Sequence, residues 1–129
     1  MFYGSDDEYV TSDIYTIHVD GSGLVNLTSD LGGVHLYPSW LWDGSKIAFQ
    51  SSHEGEPEVF VMNADGSHPV NLTQYSAASD HAPDWSADGN HIVFYSKRDT
   101  ANREIYVMDA DGANVTRLTT NTDYNQFPS

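Results

Sequence analysis

The sequence contains no cysteine. A disulfide framework, a thiolate metal site and a cysteine nucleophile are therefore excluded. Basic residues are scarce: 5 lysines and arginines stand against 19 aspartates and glutamates, a formal net charge of −14. Such a chain cannot replace the counterions of a phosphate backbone, so no nucleic-acid partner is expected. An anionic membrane surface is disfavoured for the same reason. No apolar run approaches the roughly 18 residues needed to span a bilayer, so no membrane insertion is expected either. The opening "MFYGSDDEYV" has neither the basic start nor the apolar stretch of a signal peptide. Helical periodicity is missing from every segment. So are G-x-S-x-G, G-x-G-x-x-G and G-x-x-x-x-G-K, and with them a nucleophile elbow and a phosphate loop.

What the chain does have is one phrase written three times. "IYTIHVDGS" at 14–22 recurs as "VFVMNADGS" at 59–67 and "IYVMDADGA" at 105–113, with the Asp-Gly pairs spaced 45 and 46 residues apart. "NLT" at 26–28 returns at 71–73 and as "RLT" at 117–119; "PSW" at 38–40 returns as "PDW" at 83–85; "DGSKIAF" at 43–49 returns as "DGNHIVF" at 88–94. A repeat of this length is one supersecondary unit that stacks on its neighbours.

Each unit reads as four short strands, with Asp-Gly hairpin signals at two of its three internal connections. "HAPDW", "HIVFYS", "EIYVM" and "VTRLT" form one such set, over 81–85, 91–96, 104–108 and 115–119. The runs "VFVM" and "IYVM" have no polar side, so each strand needs cover on both faces. Four-stranded sheets stacked face to face around an axis provide it. The fold class expected is therefore all-β, a partial β-propeller. With strands named a to d from the axis outward, residues 1–28 supply b-c-d. Residues 29–73 and 74–119 supply whole blades, and 120–129 the first strand of another. Three blades' worth cannot close a ring, since propellers need about four or more. The chain is then either a piece of a longer propeller, with the remaining blades as partner, or a half whose second copy completes a six-bladed ring.

This pattern of P-x-W, D-G, I-A-F, I-Y-V-M and N-L-T resembles the TolB β-propeller repeat family. Similar repeats occur in the propellers of prolyl-oligopeptidase-type peptidases, tricorn-like proteases and oligogalacturonate lyases. The resemblance implies a non-catalytic binding scaffold in the cell envelope, periplasmic or extracellular, that contacts another protein. It implies as alternatives the propeller domain of a serine peptidase or of a lyase or sugar-binding protein.

Candidate binding residues follow from topology. The b-to-c loops differ between units while the Asp-Gly turns hardly vary, so ligand contact is expected on the variable face. There, three residues before each proline, stand His35, Asp80 and Asn125, with His81 and Gln126 one step on. They are expected to bond the neighbouring blade or to form a channel-mouth site for a cation or polar group. "SHEGEPE" at 52–58 is not H-E-x-x-H. It reads as a solvated acidic loop in which His53, Glu54 and Glu56 could meet a basic partner. Trp42 is a candidate contact residue, whereas Trp40 and Trp85 are expected to pack between blades. The D-x-D-G segment at 109–112 resembles part of a calcium loop, but a turn is preferred over calcium or another divalent cation, and no cofactor is expected.

Overall fold

The computed structural model describes residues 2–6, 11–74 and 78–120, with 2–6 and Thr11 described by their backbone. Eleven strands and no helix occur among them. β1 (Phe2–Asp6), β2 (Thr11–Thr16) and β3 (Val25–Asn26) form a first sheet in that order. A second sheet holds β4 (His35–Trp40), β5 (Lys46–Ser51), β6 (Glu58–Asn63) and β7 (Val70–Asn71). A third repeats it with β8 (Asp80–Trp85), β9 (His91–Ser96), β10 (Glu104–Asp109) and β11 (Thr116–Arg117). All named pairings are antiparallel between sequence neighbours. This is the blade pattern expected. The outermost strands are shorter than the sequence suggests: "VTRLT" contributes only Thr116 and Arg117 to the ladder. The strand expected over 120–129 falls, from 121 on, outside the described residues.

The double-sided apolar strands set the packing. Alternate residues of β6 point to opposite faces. Val59 and Val61 join Ala48 against Trp85, Ile92, Phe94, Tyr106 and Met108 of the third sheet. Phe60 and Met62 join Ile47 and Phe49 against Ile14 and Leu27 of the first. All four residues of "VFVM" are buried as a result. Each large side chain fully buried this way is worth about 1.5–3 kcal/mol.

The Asp-Gly turns have a second role besides reversing the chain. In each c-to-d turn a carbonyl accepts from the glycine N–H three residues on, as Asn63 does from Gly66, and the glycine takes a positive φ. The aspartate stays at negative φ, so the turn is of type I with a glycine bulge. At two of them the next contact is another blade. A Cβ on Gly66 would stand 2.7 Å from the Leu27 carbonyl oxygen, and one on Gly112 would stand 2.8 Å from that of Leu72. Only glycine admits so close a backbone approach.

A threonine clasp closes each sheet. The Thr28 hydroxyl accepts from the Ile14 N–H at 3.0 Å and donates to the Asp13 carboxylate at 3.0 Å. Thr73 repeats this with Val59 and Glu58, and Thr119 with Ile105 and Glu104. The clasp explains why Glu58 and Glu104 lie buried at the start of an apolar strand. Each such hydrogen bond contributes about 1 kcal/mol net.

One packing expectation is corrected. Trp85 is buried between the second and third sheets, with Leu41 and Leu72 of the second sheet's turns and edge against the same cluster. Trp40, at the same repeat position, is 40% exposed. Leu41 belongs to an a-to-b turn, and the first sheet supplies no such turn among the described residues.

Candidate functional site

The b-to-c loops and the starts of the a strands lie together by register. His35 pairs with Ser51, which pairs with Glu58, and Asp80 pairs with Ser96, which pairs with Glu104. Both a strands are then broken at the same place. Tyr37 and Ala82 adopt φ of 52° and 49°, and the register shifts between Leu36 and Ser39 and between His81 and Asp84. Two non-glycine residues in the left-handed region, each before a proline, mark a repeated bulge.

His35 is fully buried. Its Nε2 hydrogen donates to the Leu31 carbonyl at 3.1 Å, leaving Nδ1 buried without a hydrogen-bond partner. The ring meets Phe49 edge-on at 6.0 Å. Burial pushes its pKa below the usual 6.5; the bond to Leu31 and the charge of Asp13 oppose this, and His53 adds to it.

At the equivalent place Asp80 is also fully buried and takes an ion pair instead. Its Oδ2 lies 3.0 Å from Arg98 Nη2, and its Oδ1 has no hydrogen-bond partner. The Asp80 N–H donates to the Pro57 carbonyl at 2.8 Å, tying the strand to the loop of the preceding sheet. The Arg98 guanidinium lies 5.2 Å from the centroids of both Phe94 and Tyr106, a cation–π arrangement. The Tyr106 hydroxyl donates to Asp99 at 2.8 Å, and its pKa is pushed up to about 12, first by burial and then by that bond.

His81 makes the cross-blade bond. Its Nδ1 pairs with Gln50 Oε1 at 3.1 Å, and Gln50 also accepts from the Ala82 N–H at 3.3 Å. The imidazole stacks on Tyr95 at 4.9 Å, with the Arg103 guanidinium 5.2 Å from the same ring. Burial, then Arg103, lowers its pKa. One step further, the Ser39 hydroxyl donates to Asp84 at 2.7 Å across the same boundary.

The residues expected at the mouth thus divide. His35 and Asp80 face inward, without exposed surface; His81 is half-buried on the boundary. His53, Glu54 and Glu56 are exposed on their loop. His53 lies edge-on to Phe60 at 6.5 Å; Glu54 accepts from Asn71 at 2.9 Å and Glu56 from Ser79 at 2.9 Å. Glu54, Glu56, Glu58, Asn71 and Gln74 line an open cavity of about 580 Å³. Asn125 and Gln126 lie outside the described residues. Trp42 sits on the opposite, uniform face, 72% exposed, with its indole edge leaning on Gly89 of the next blade.

Sequence reasoning missed Arg98, whose partner is set by the loop's return rather than by any motif. It also missed the acids of the clasp, although Asp13, Glu58 and Glu104 each stand 15 residues before a bonded threonine. The face is not uniformly acidic: Lys97, Arg98 and Arg103 are three of the chain's five basic residues and share one loop. The Asp-Gly carboxylates are committed to their turns. Asp20, Asp43 and Asp65 each accept from the serine two residues on, by hydroxyl and N–H, which holds them below the usual 3.8. Asp88 is lowered likewise by Ser86 and Asn90. Among the described residues no group of three histidine or acidic side chains could hold a metal ion.

The TolB beta propeller domain model matches residues 8–129. No curated protein matches the chain. Among solved structures, one described as TolB from Agrobacterium tumefaciens is 31% identical with a TM-score of 0.79, over 91% of this chain and 43% of its own. TolB from Acinetobacter baumannii is 25% identical with a TM-score of 0.71, over 89% of this chain and 28% of its own. An oligogalacturonate lyase in complex with manganese shares the fold at 19% identity and a TM-score of 0.60, over 84% of this chain and 30% of its own. The chain thus spans less than half the length of each of these structures.

Proposed function

Because the chain belongs to the TolB β-propeller domain family, we propose that it is a non-catalytic scaffold that carries a protein–protein contact in the cell envelope, made through its variable face. The observation that carries this reading is the division of labour among its polar groups. His35, Asp80 and Arg98 are consumed by the fold, whereas Glu54 and Glu56 are held outward by Asn71 and Ser79 on a b-to-c loop whose sequence the other blades do not repeat. Scaffold positions repeat and contact positions diverge. A partner that is basic where it meets Glu54 and Glu56 fits, and the net charge of −14 would speed its approach.

Site-specific photocrosslinking in a bacterial periplasm tests this. A photoreactive residue at Glu54 or Glu56 is expected to capture a defined partner, and one at Val19, fully exposed on the opposite face, is not. Glu54→Lys with Glu56→Lys should abolish the capture, and raised salt should weaken it. Equal capture from both faces, or none from the loop, would overturn the reading.

A further inference from the structure

Toward the uniform face the seam between the second and third sheets widens into a cavity of about 520 Å³, within the roughly 300–1,000 Å³ range of small-molecule sites. Both walls belong to complete four-stranded sheets, so the cavity does not depend on what packs against the first sheet or the far side of the third. Val61, Val70 and Leu72 form one wall; Trp85, Gly89 and Ala110 form the other. Gly89 and Ala110 are small and fill little of the space between. Trp85 is buried, and its Nε1–H has no hydrogen-bond partner. A buried donor left unpaired calls for an acceptor. At the rim stands Lys46, which pairs with Asn63 across the ladder and gives one hydrogen to its Oδ1 at 3.0 Å. The ammonium has further hydrogens to spare. Asp111, on the facing wall, already accepts from the Ala113 N–H. The walls repeat and the rim does not. Leu27, Gly44 and Ala64 are the counterparts of Leu72, Gly89 and Ala110, whereas His18 and Gly23 stand in place of Asn63 and His68. Positions that diverge on a repeated scaffold are where contact is made.

We propose that this seam binds a small amphipathic carboxylate. Its apolar body lies between Val61, Leu72 and Ala110, and its carboxylate accepts from the Trp85 N–H while the Lys46 ammonium supplies the opposite charge. Lys46 need not touch the carboxylate to do so, because a partly enclosed pair is screened less than one in bulk water. The apolar walls select the body, and the orphaned donor with the cation selects the head group. The cavity opens away from Glu54 and Glu56, so the proposal stands independently of the reading above. Trp42, 72% exposed with its indole edge against Gly89, stands beside it.

Octanoate is titrated into the ¹⁵N-labelled chain while the indole N–H signals of its 3 tryptophans are followed, assigned with Trp40→Phe and Trp42→Phe. The Trp85 signal should move downfield and saturate, and that of Trp40, at the equivalent place in the preceding seam, should stay. Octylammonium should bind roughly tenfold more weakly than octanoate, since it brings a like charge to Lys46. Lys46→Gln, at an exposed position, should weaken octanoate about fivefold and leave 1-octanol unchanged. Ala110→Leu, which fills the cavity, should remove the binding of both. Should Ala110→Leu not fold, the Lys46→Gln comparison decides alone. A Trp85 signal that octanoate leaves in place, equal affinity for octanoate and octylammonium, or unchanged octanoate binding in Lys46→Gln overturns the proposal.

Discussion

The backbone of Gly112 runs beneath the carbonyl of Leu72 so closely that a single added methyl group would stand 2.8 Å from that oxygen. Gly112 and Leu72 belong to successive blades, so a turn residue is also the point where one sheet rests on the next. Gly112→Ala should therefore cost more than a turn alone explains. The left-handed φ contributes about 1–2 kcal/mol and the displaced carbonyl about 1–3 more. Gly21→Ala, with open space around it, should show only the first part when the folded chain is unfolded in urea. Equal losses at the two positions would mean that the blade contact is slack.

Acid should weaken the fold in two stages. His35 and His81 titrate below their usual 6.5 in the folded chain, mainly because burial disfavours the charged ring. Unfolding then takes up protons as pH falls through 6.5, so the stability present above that value declines toward the folded pKa. Asp20, Asp43, Asp65 and Asp88 are held below 3.8 by their turn bonds. Their contribution is complete above that value and is lost as pH falls through the lower, folded one. In unfolding titrations, His35→Gln should flatten the upper slope in part, leaving the share due to His81, and leave the lower stage intact. An unchanged upper slope would remove His35 from the account.

Asp80 and Arg98 test whether the third blade's loop is held by charge. Removing one partner strands the other in a buried site, which costs about 3–5 kcal/mol. Arg98→Met alone should lower the free energy of unfolding by that amount, read from urea denaturation. Asp80→Asn with Arg98→Met should recover much of it, because no lone charge remains. A double variant as unstable as the single one would show that Arg98 acts by stacking on Phe94 and Tyr106 instead.

The blade pattern was legible because it rests on local signals. Strand period, Asp-Gly turns and two-sided apolar runs are written in consecutive residues. What depended on neighbours in space was not. Trp40 and Trp85 look identical in sequence, yet only Trp85 has the Leu41 turn beside it. His35 and Asp80 occupy one position and solve it differently, one with a backbone carbonyl and one with an arginine from a loop of variable length. The left-handed backbone of Tyr37 and Ala82 is not written in the residues themselves, since neither type favours that conformation. The proline after each was the one hint of irregularity.

Since the carbonyl-over-glycine contact joins only adjacent blades, the molecule is indifferent to how many intervene. Excising residues 29–73 would lower the Leu27 carbonyl onto Gly112 in place of Gly66, and duplicating them would insert a further identical seam. Evolution can therefore lengthen or shorten such a chain by whole units without redesigning a single joint.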